Sequence, residues 1–227
     1  MINIVHSNKP FGEIIDSSLQ VWKVHCWQWD IMPALGSLVV AECNNQKLFG
    51  LVAQISTGSI DQGRQPFPYQ KTEEELKREQ PQIFALLQTQ AVCITLAYSS
   101  NTPRSNNQDR TLYYQLPDYP PKIHAFARPA SLEEVNYFFT STGYLHLLAS
   151  SSISFLPIED ILLALLKYYA EHCTLSTDYL DSFISSYSLL IGNDYRRLKI
   201  FLQRLEPLAN LYLFNKQAPT NSIPRYS

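Results

Sequence analysis

From Phe11 to Trp27, and again in shorter runs as far as Tyr98, apolar and polar residues alternate; beyond Pro129 the apolar spacing changes to three and four. A period of two marks strands with one buried face, and a period near 3.6 marks amphipathic helices. Residues 2–6 alternate weakly, and Phe11–Asp16 opens a strand. Leu19–Trp27 alternates over nearly its whole length. Ser37–Glu42 follows Gly36, and Asn44-Asn45-Gln46 supplies a turn before Lys47–Ile55. Asn accepts the positive φ of tight hairpin turns, so these last two strands are expected to pair antiparallel. Ala91–Tyr98 is rich in β-branched residues and is expected to complete the sheet. Short strands at this spacing predict a small barrel or sandwich, because closure removes exposed edges.

A helical insertion interrupts the strands over residues 72–90. Thr72 and Glu75 form a capping box that satisfies free backbone donors, and Pro81 breaks this helix or starts a second. Ser131 and Glu134 form another capping box, ahead of Val135, Phe138 and Phe139. Ile158–Cys173 and the stripe Leu180, Phe183, Ile184, Tyr187 and Leu190 are two more helices, the latter stopped by Gly192. Asn193 is expected to cap a fourth, which Pro207 ends. The fold class is therefore α+β: a β-domain over residues 1–128, a four-helix domain over 129–214 and a tail over 215–227.

Composition narrows the function. With 18 basic and 20 acidic residues and only 17% charged, the chain is not built around nonspecific polyanion binding. The start lacks a basic region followed by an apolar stretch, and no apolar run approaches the roughly 20 residues of a membrane span. Cys26, Cys43, Cys93 and Cys173 lie far apart, in no metal-ligand spacing, and read as free thiols in a reducing cytoplasm.

The motifs of common enzymes are missing: no phosphate loop, dinucleotide turn, nucleophile elbow or zinc helix. His25 and Cys26 are adjacent on a strand, so they point to opposite faces and cannot share a proton. Glu73–Glu75, Glu133-Glu134 and Glu159-Asp160 open helices, where carboxylates offset the macrodipole. Glu13, Asp16 and Glu42 are candidates for a metal-dependent nuclease by position only. No catalytic, cofactor or metal residue is assigned. Arg196, Arg197, Lys199 and Arg204 concentrate cations on the last helix, as a solvated face or as contacts to nucleic acid. If Trp22 points inward, Trp27 and Trp29 lie on the opposite side, either docking a partner, stacking on bases, or packed beneath the helical insertion.

Phe11-Gly-Glu-Ile-Ile, Met32-Pro-Ala-Leu-Gly-Ser-Leu-Val-Val and Phe49-Gly-Leu-Val-Ala-Gln-Ile together resemble the HAS-barrel, the small N-terminal barrel of HerA-type DNA-translocating ATPases and rotary ATP synthase subunits. The resemblance covers roughly residues 10–100, rests on Gly12, Gly36 and Gly50, and implies a helical excursion before a closing strand at Val92–Tyr98. In that family a motor with a phosphate loop follows the barrel, whereas here only helices follow. The resemblance thus implies a barrel detached from its motor, one that joins neighbouring subunits or a partner and does no chemistry. The expected function is a noncatalytic adaptor or assembly factor, homo-oligomeric or bound to a protein partner such as a ring ATPase. Its expected contacts are Trp27, Trp29, Asn44 and Asn45, and it needs no cofactor. The alternative is a nucleic-acid-binding accessory factor of a HerA-like ATPase.

Overall fold

The computed structural model describes residues 3–4, 9–43, 46–61, 63, 67–100, 111–151 and 156–214. The strands are β1 (Asn3–Ile4), β2 (Gly12–Ser17), β3 (Val21–Cys26), β4 (Ile31–Met32), β5 (Leu38–Cys43), β6 (Gln46–Ser59), β7 (Leu87–Ser100), β8 (Leu112–Tyr113) and β9 (Phe126–Pro129). Six of them close on themselves, in the order β2, β3, β7, β6, β5, β9 and back to β2, with every pair antiparallel. The fold is a six-stranded β-barrel with seven helices among the described residues, an α+β architecture.

Closure comes from a strand the periodicity does not reveal. Val92–Tyr98 lies inside β7, but β7 pairs with β3 and β6 and leaves β2 and β5 unjoined. The four residues of β9 fill that gap, with Gly12 opposite Ala127 and Val40 opposite Arg128. Four residues are too few for an alternating pattern to stand out. The hairpin of β5 and β6 pairs as expected, with Cys43 opposite Gln46; Asn44 and Asn45 lie outside the described residues.

The barrel interior holds Phe11, Ile14, Trp22, Val24, Cys26, Val39, Ala41, Val52, Ala91, Cys93 and Ala127. Trp22 fills its centre, and a Cβ on Gly50 would meet the indole Cζ2 at 2.3 Å. Glycine at 50 is therefore the space in which the ring lies. Gly36 combines a positive φ with a close approach, since its Cβ would fall 2.3 Å from the backbone of Ala164 on a packed helix.

The insertion is α1 (Glu73–Glu79) followed by a 3-10 turn at Pro81–Leu86, and β7 already begins at Leu87. After the barrel come α2 (Leu132–Phe138), α3 (Tyr144–Ser150), α4 (Ile158–His172), α5 (Thr177–Ile191) and α6 (Tyr195–Phe214). Both capping boxes form, at Thr72 with Glu75 and at Ser131 with Glu134. Among the described residues, five helices rather than four follow the barrel. The seven-residue α3 is short enough for its periodicity to be missed, yet it buries Tyr144, Leu145 and Leu148.

Two expectations about α6 are corrected. Asp194, not Asn193, caps it: the Asp194 carboxylate accepts from the Arg197 N–H at 3.0 Å. Pro207 does not end it. Proline forfeits one helical hydrogen bond, but Leu208, Ala209, Tyr212 and Leu213 beyond it pack against the core. That burial carries the helix through.

The helices cover one outer wall of the barrel. Leu38, Val40, Phe49, Leu51, Ala53, Ile94 and Leu96 point away from the barrel interior and join one apolar cluster with Val135, Phe138, Leu162, Leu165, Phe183 and Phe201. Aromatic rings fill the junction: Phe138 stacks on Phe49 and Tyr144, and Phe139 on Tyr169 at 4.1 Å between centroids.

Candidate functional site

Among the described residues no helix packs extensively against the outer face of the opposite wall, made of β2, β3 and the start of β9. Along β3, buried and half-buried residues alternate without interruption. Trp22, Val24 and Cys26 point inward, and Val21, Lys23 and His25 point out. The Cys26 thiol is enclosed in the barrel, where burial pushes it up to about 12, so it stays protonated. His25 lies on the other side, as a strand requires.

One residue past β3 the chain turns outward and exposes Trp27, which is 49% accessible. Its N–H donates to Phe11, holding the backbone against β2. Its ring meets Phe126 of β9 edge to face, at 5.3 Å between centroids. Phe126 is itself 55% accessible and sits opposite Glu13 in the β2–β9 register. Glu13 binds both sides of the cluster: one carboxylate oxygen accepts from the Trp27 indole N–H at 3.2 Å, and the other lies 3.2 Å from His124 Nδ1. His124 reaches this position through a positive φ of 66° in the turn before β9, with its N–H donating to Ile14. A histidine in the left-handed region is uncommon and is kept here by the pairing around it. Ile15 and Ile123 extend the patch with exposed aliphatic surface.

Trp27 is thus held in orientation by the Glu13 carboxylate, and Phe126 packs edge to face against its ring. Such a group is apolar enough to gain from burial against a partner, and it is already ordered, so little side-chain entropy remains to be lost.

The expected site residues divide. Trp27 is on the exposed wall. Trp29 is half-buried beneath the insertion, stacked on Phe84 at 5.4 Å, while its carbonyl accepts from Thr89 Oγ1. Of the two tryptophans, Trp29 packs under the insertion, and Trp27 is the exposed one. Phe126 and His124 were missed by sequence reasoning, and Glu13 was singled out only as a possible metal-binding carboxylate. The exposed Phe in Phe-Ala-Arg-Pro was the available signal, but it becomes meaningful only once β9 is placed beside β2.

The cations of α6 divide as well. Arg197 pairs with Glu159 and Arg204 with Asp160, both at the start of α4, and the Tyr187 hydroxyl donates to Glu159 at 2.7 Å. These arginines join two helices, and each has its charge matched by a carboxylate of the same chain. Arg196 and Lys199 are exposed, with no ion pair shown for either among the described residues.

The three carboxylates of the possible nuclease do not converge. Asp16 pairs with Lys23 at 2.9 Å, Glu42 with Arg128 at 2.7 Å, and Glu13 is engaged as described. No group of three or more His, Cys, Asp or Glu side chains able to hold a metal occurs among the described residues. Among those residues no helix is long and apolar enough to cross a membrane.

A second charged cluster lies where the two walls meet. Arg128 grips Glu134 with both terminal nitrogens, at 2.7 and 2.9 Å, and reaches Glu42 at 2.7 Å, while Lys47 meets Glu134 at 2.8 Å. Burial pushes the Glu134 carboxyl up, but the Arg128 and Lys47 charges and the Ser131 N–H outweigh it and hold it at about 2. This cluster ties β9, the β5–β6 hairpin and the N-terminus of α2 together. Every charge in it has a structural partner.

Set beside known proteins, the sequence matches no protein-family model and no characterised protein.

Proposed function

We propose that this chain is a noncatalytic interaction protein that docks onto a larger assembly through the open wall of its barrel. The observation that carries this reading is the exposed Trp27–Phe126 pair, in which the Trp27 indole is held by Glu13. Aromatic residues near the centre of a patch, ringed by polar groups, are the usual anchors of protein interfaces. The closed six-stranded barrel, with Gly12, Gly36 and Gly50 at points of close approach, supports the resemblance to HAS-barrels. In those proteins the barrel mediates assembly. The nucleic-acid alternative is weakened because Arg197 and Arg204 are neutralised by α4.

The test is affinity purification of the tagged full chain from its own cells, compared with Trp27→Ala and Phe126→Ala. Both side chains are about half exposed, so the variants keep their fold, checked by circular dichroism. A specific co-purifying protein is expected to be lost, with affinity weakened at least tenfold. If the same proteins bind the wild type and both variants equally, the open wall is not the interface. Recovery of nucleic acid in a salt-sensitive manner would favour the alternative.

A further inference from the structure

Along its first three turns, α6 presents a face that the other described residues cover only at one margin, where Leu198 and Leu202 pack against the core. Tyr195, Leu198, Lys199, Leu202, Gln203 and Glu206 line an open groove of about 420 Å³. Their spacing of three and four places them on a single stripe. Tyr195 is 76% accessible, and Leu198 and Leu202 are half-buried at the margin of the core. Pro207 falls just beyond this stretch, so the stripe is uninterrupted.

The charges of α6 sort by direction. Arg197 and Arg204, toward α4, are each matched by a carboxylate of the same protein. Lys199 and Glu206, in the groove, have no ion pair shown among the described residues. They are opposite in sign and seven residues apart, about 10.5 Å along the axis at roughly 1.5 Å per residue. A polyanion would be repelled by Glu206, and a basic partner by Lys199. A surface that satisfies both carries the two charges in reverse order, as this helix does when turned end to end.

We infer that α6 is a homodimer interface, in which two copies pack their helices antiparallel about a two-fold axis between Leu202 and Gln203. Lys199 then lies opposite Glu206 of the second copy, and Glu206 opposite the Lys199 of that copy. Leu202 meets its own counterpart at the centre, with Tyr195 and Leu198 covering the flanks. Such an isologous contact repeats each pair twice, so a single substitution acts at both ends. One helix pair buries less than the roughly 800 Å² per partner of a standard interface, so the dimer is concentration-dependent. The interface is on α6 and owes nothing to Trp27, so it stands independently of the proposed docking wall.

Sedimentation of the full chain from micromolar to millimolar concentration tests this. The wild-type mass is expected to rise from 26.0 kDa toward the dimer value, and less steeply at high salt. Lys199→Glu and Glu206→Lys each place like charges at both ends and should weaken association at least tenfold. Mixed in equal amounts, the two single variants should regain a heterodimer, because their charges then complement each other. The double variant K199E/E206K should restore the homodimer, and Trp27→Ala should leave it intact. A wild type that stays at the monomer mass throughout overturns the inference. So do single variants that associate as the wild type does, or a mixture that stays monomeric.

Discussion

Along β3 on the open wall, buried and half-buried residues alternate, whereas along Leu38–Ala41 and Phe49–Ala53 on the helix-covered wall every residue is buried. The two walls belong to one barrel, and inside it their side chains meet in one apolar cluster. They differ in what faces outward. On the covered side Val40, Phe49 and Leu51 meet helices; on the open side Glu13, Lys23 and His25 lie outward, with Trp27, Phe126, Ile15 and Ile123 among the exposed apolar side chains. A strand covered on both faces loses its alternation, and one covered on a single face keeps it.

The comparison breaks most visibly at matched outward positions. Leu51→Ala removes a fully buried side chain beneath the helices. It should cost about 2–5 kcal/mol and lower the melting temperature on the order of 10 °C. Ile15→Ala, outward on the open wall and 42% accessible, should change stability by less than about 0.5 kcal/mol. Equal losses in calorimetry would mean that the open wall is also covered.

The join between the walls responds to acid. The Glu134 carboxyl is held at about 2, against an ordinary value near 4.5. Its contribution is therefore complete above about pH 4.5 and is lost as pH falls toward 2, in total about 3 kcal/mol. Urea midpoints measured across that range should fall steeply for the wild type and more gently for Glu134→Gln. Matching slopes would remove Glu134 from the join.

A smaller effect is expected inside the barrel, which both walls share. Gly50→Ala drives a methyl group against the Trp22 ring and should cost about 1–3 kcal/mol. Its near-ultraviolet circular dichroism should change as the indole shifts. A variant as stable as wild type, with the same spectrum, would mean that the ring has room to move.

Much of this could be read from the chain before the coordinates. The strands β2, β3, β5, β6 and β7 announce themselves by alternation or by β-branched runs, and both capping boxes fall where Ser or Thr precedes Glu by three. What escapes the sequence is decided by distant partners. The strand β9 is four residues long and gains its identity only between β2 and β5. Pro207 signals a helix end locally and is overruled by the burial of Leu208 and Tyr212 beyond it. The candidate site shows the same limit. Trp27 could be picked out as an aromatic off the inward parity of Trp22, but Glu13 and His124 come to it from separate parts of the chain. The pairing of Arg197 and Arg204 was equally invisible, because Glu159 and Asp160 read as helix-start residues in their own right.

The position of β9 also has a consequence in time. Gly12 waits for Ala127 and Val40 for Arg128, so neither β2 nor β5 can be completed when β7 has just been made. At about 5–20 residues per second, the ribosome needs roughly 1.5–6 s to go from the end of β7 to the end of β9. Through that interval the nascent chain holds two unfinished sheet edges, both flanked by apolar residues. Synthesis of this protein therefore includes a window in which a chaperone, or another nascent copy, competes with its own last strand.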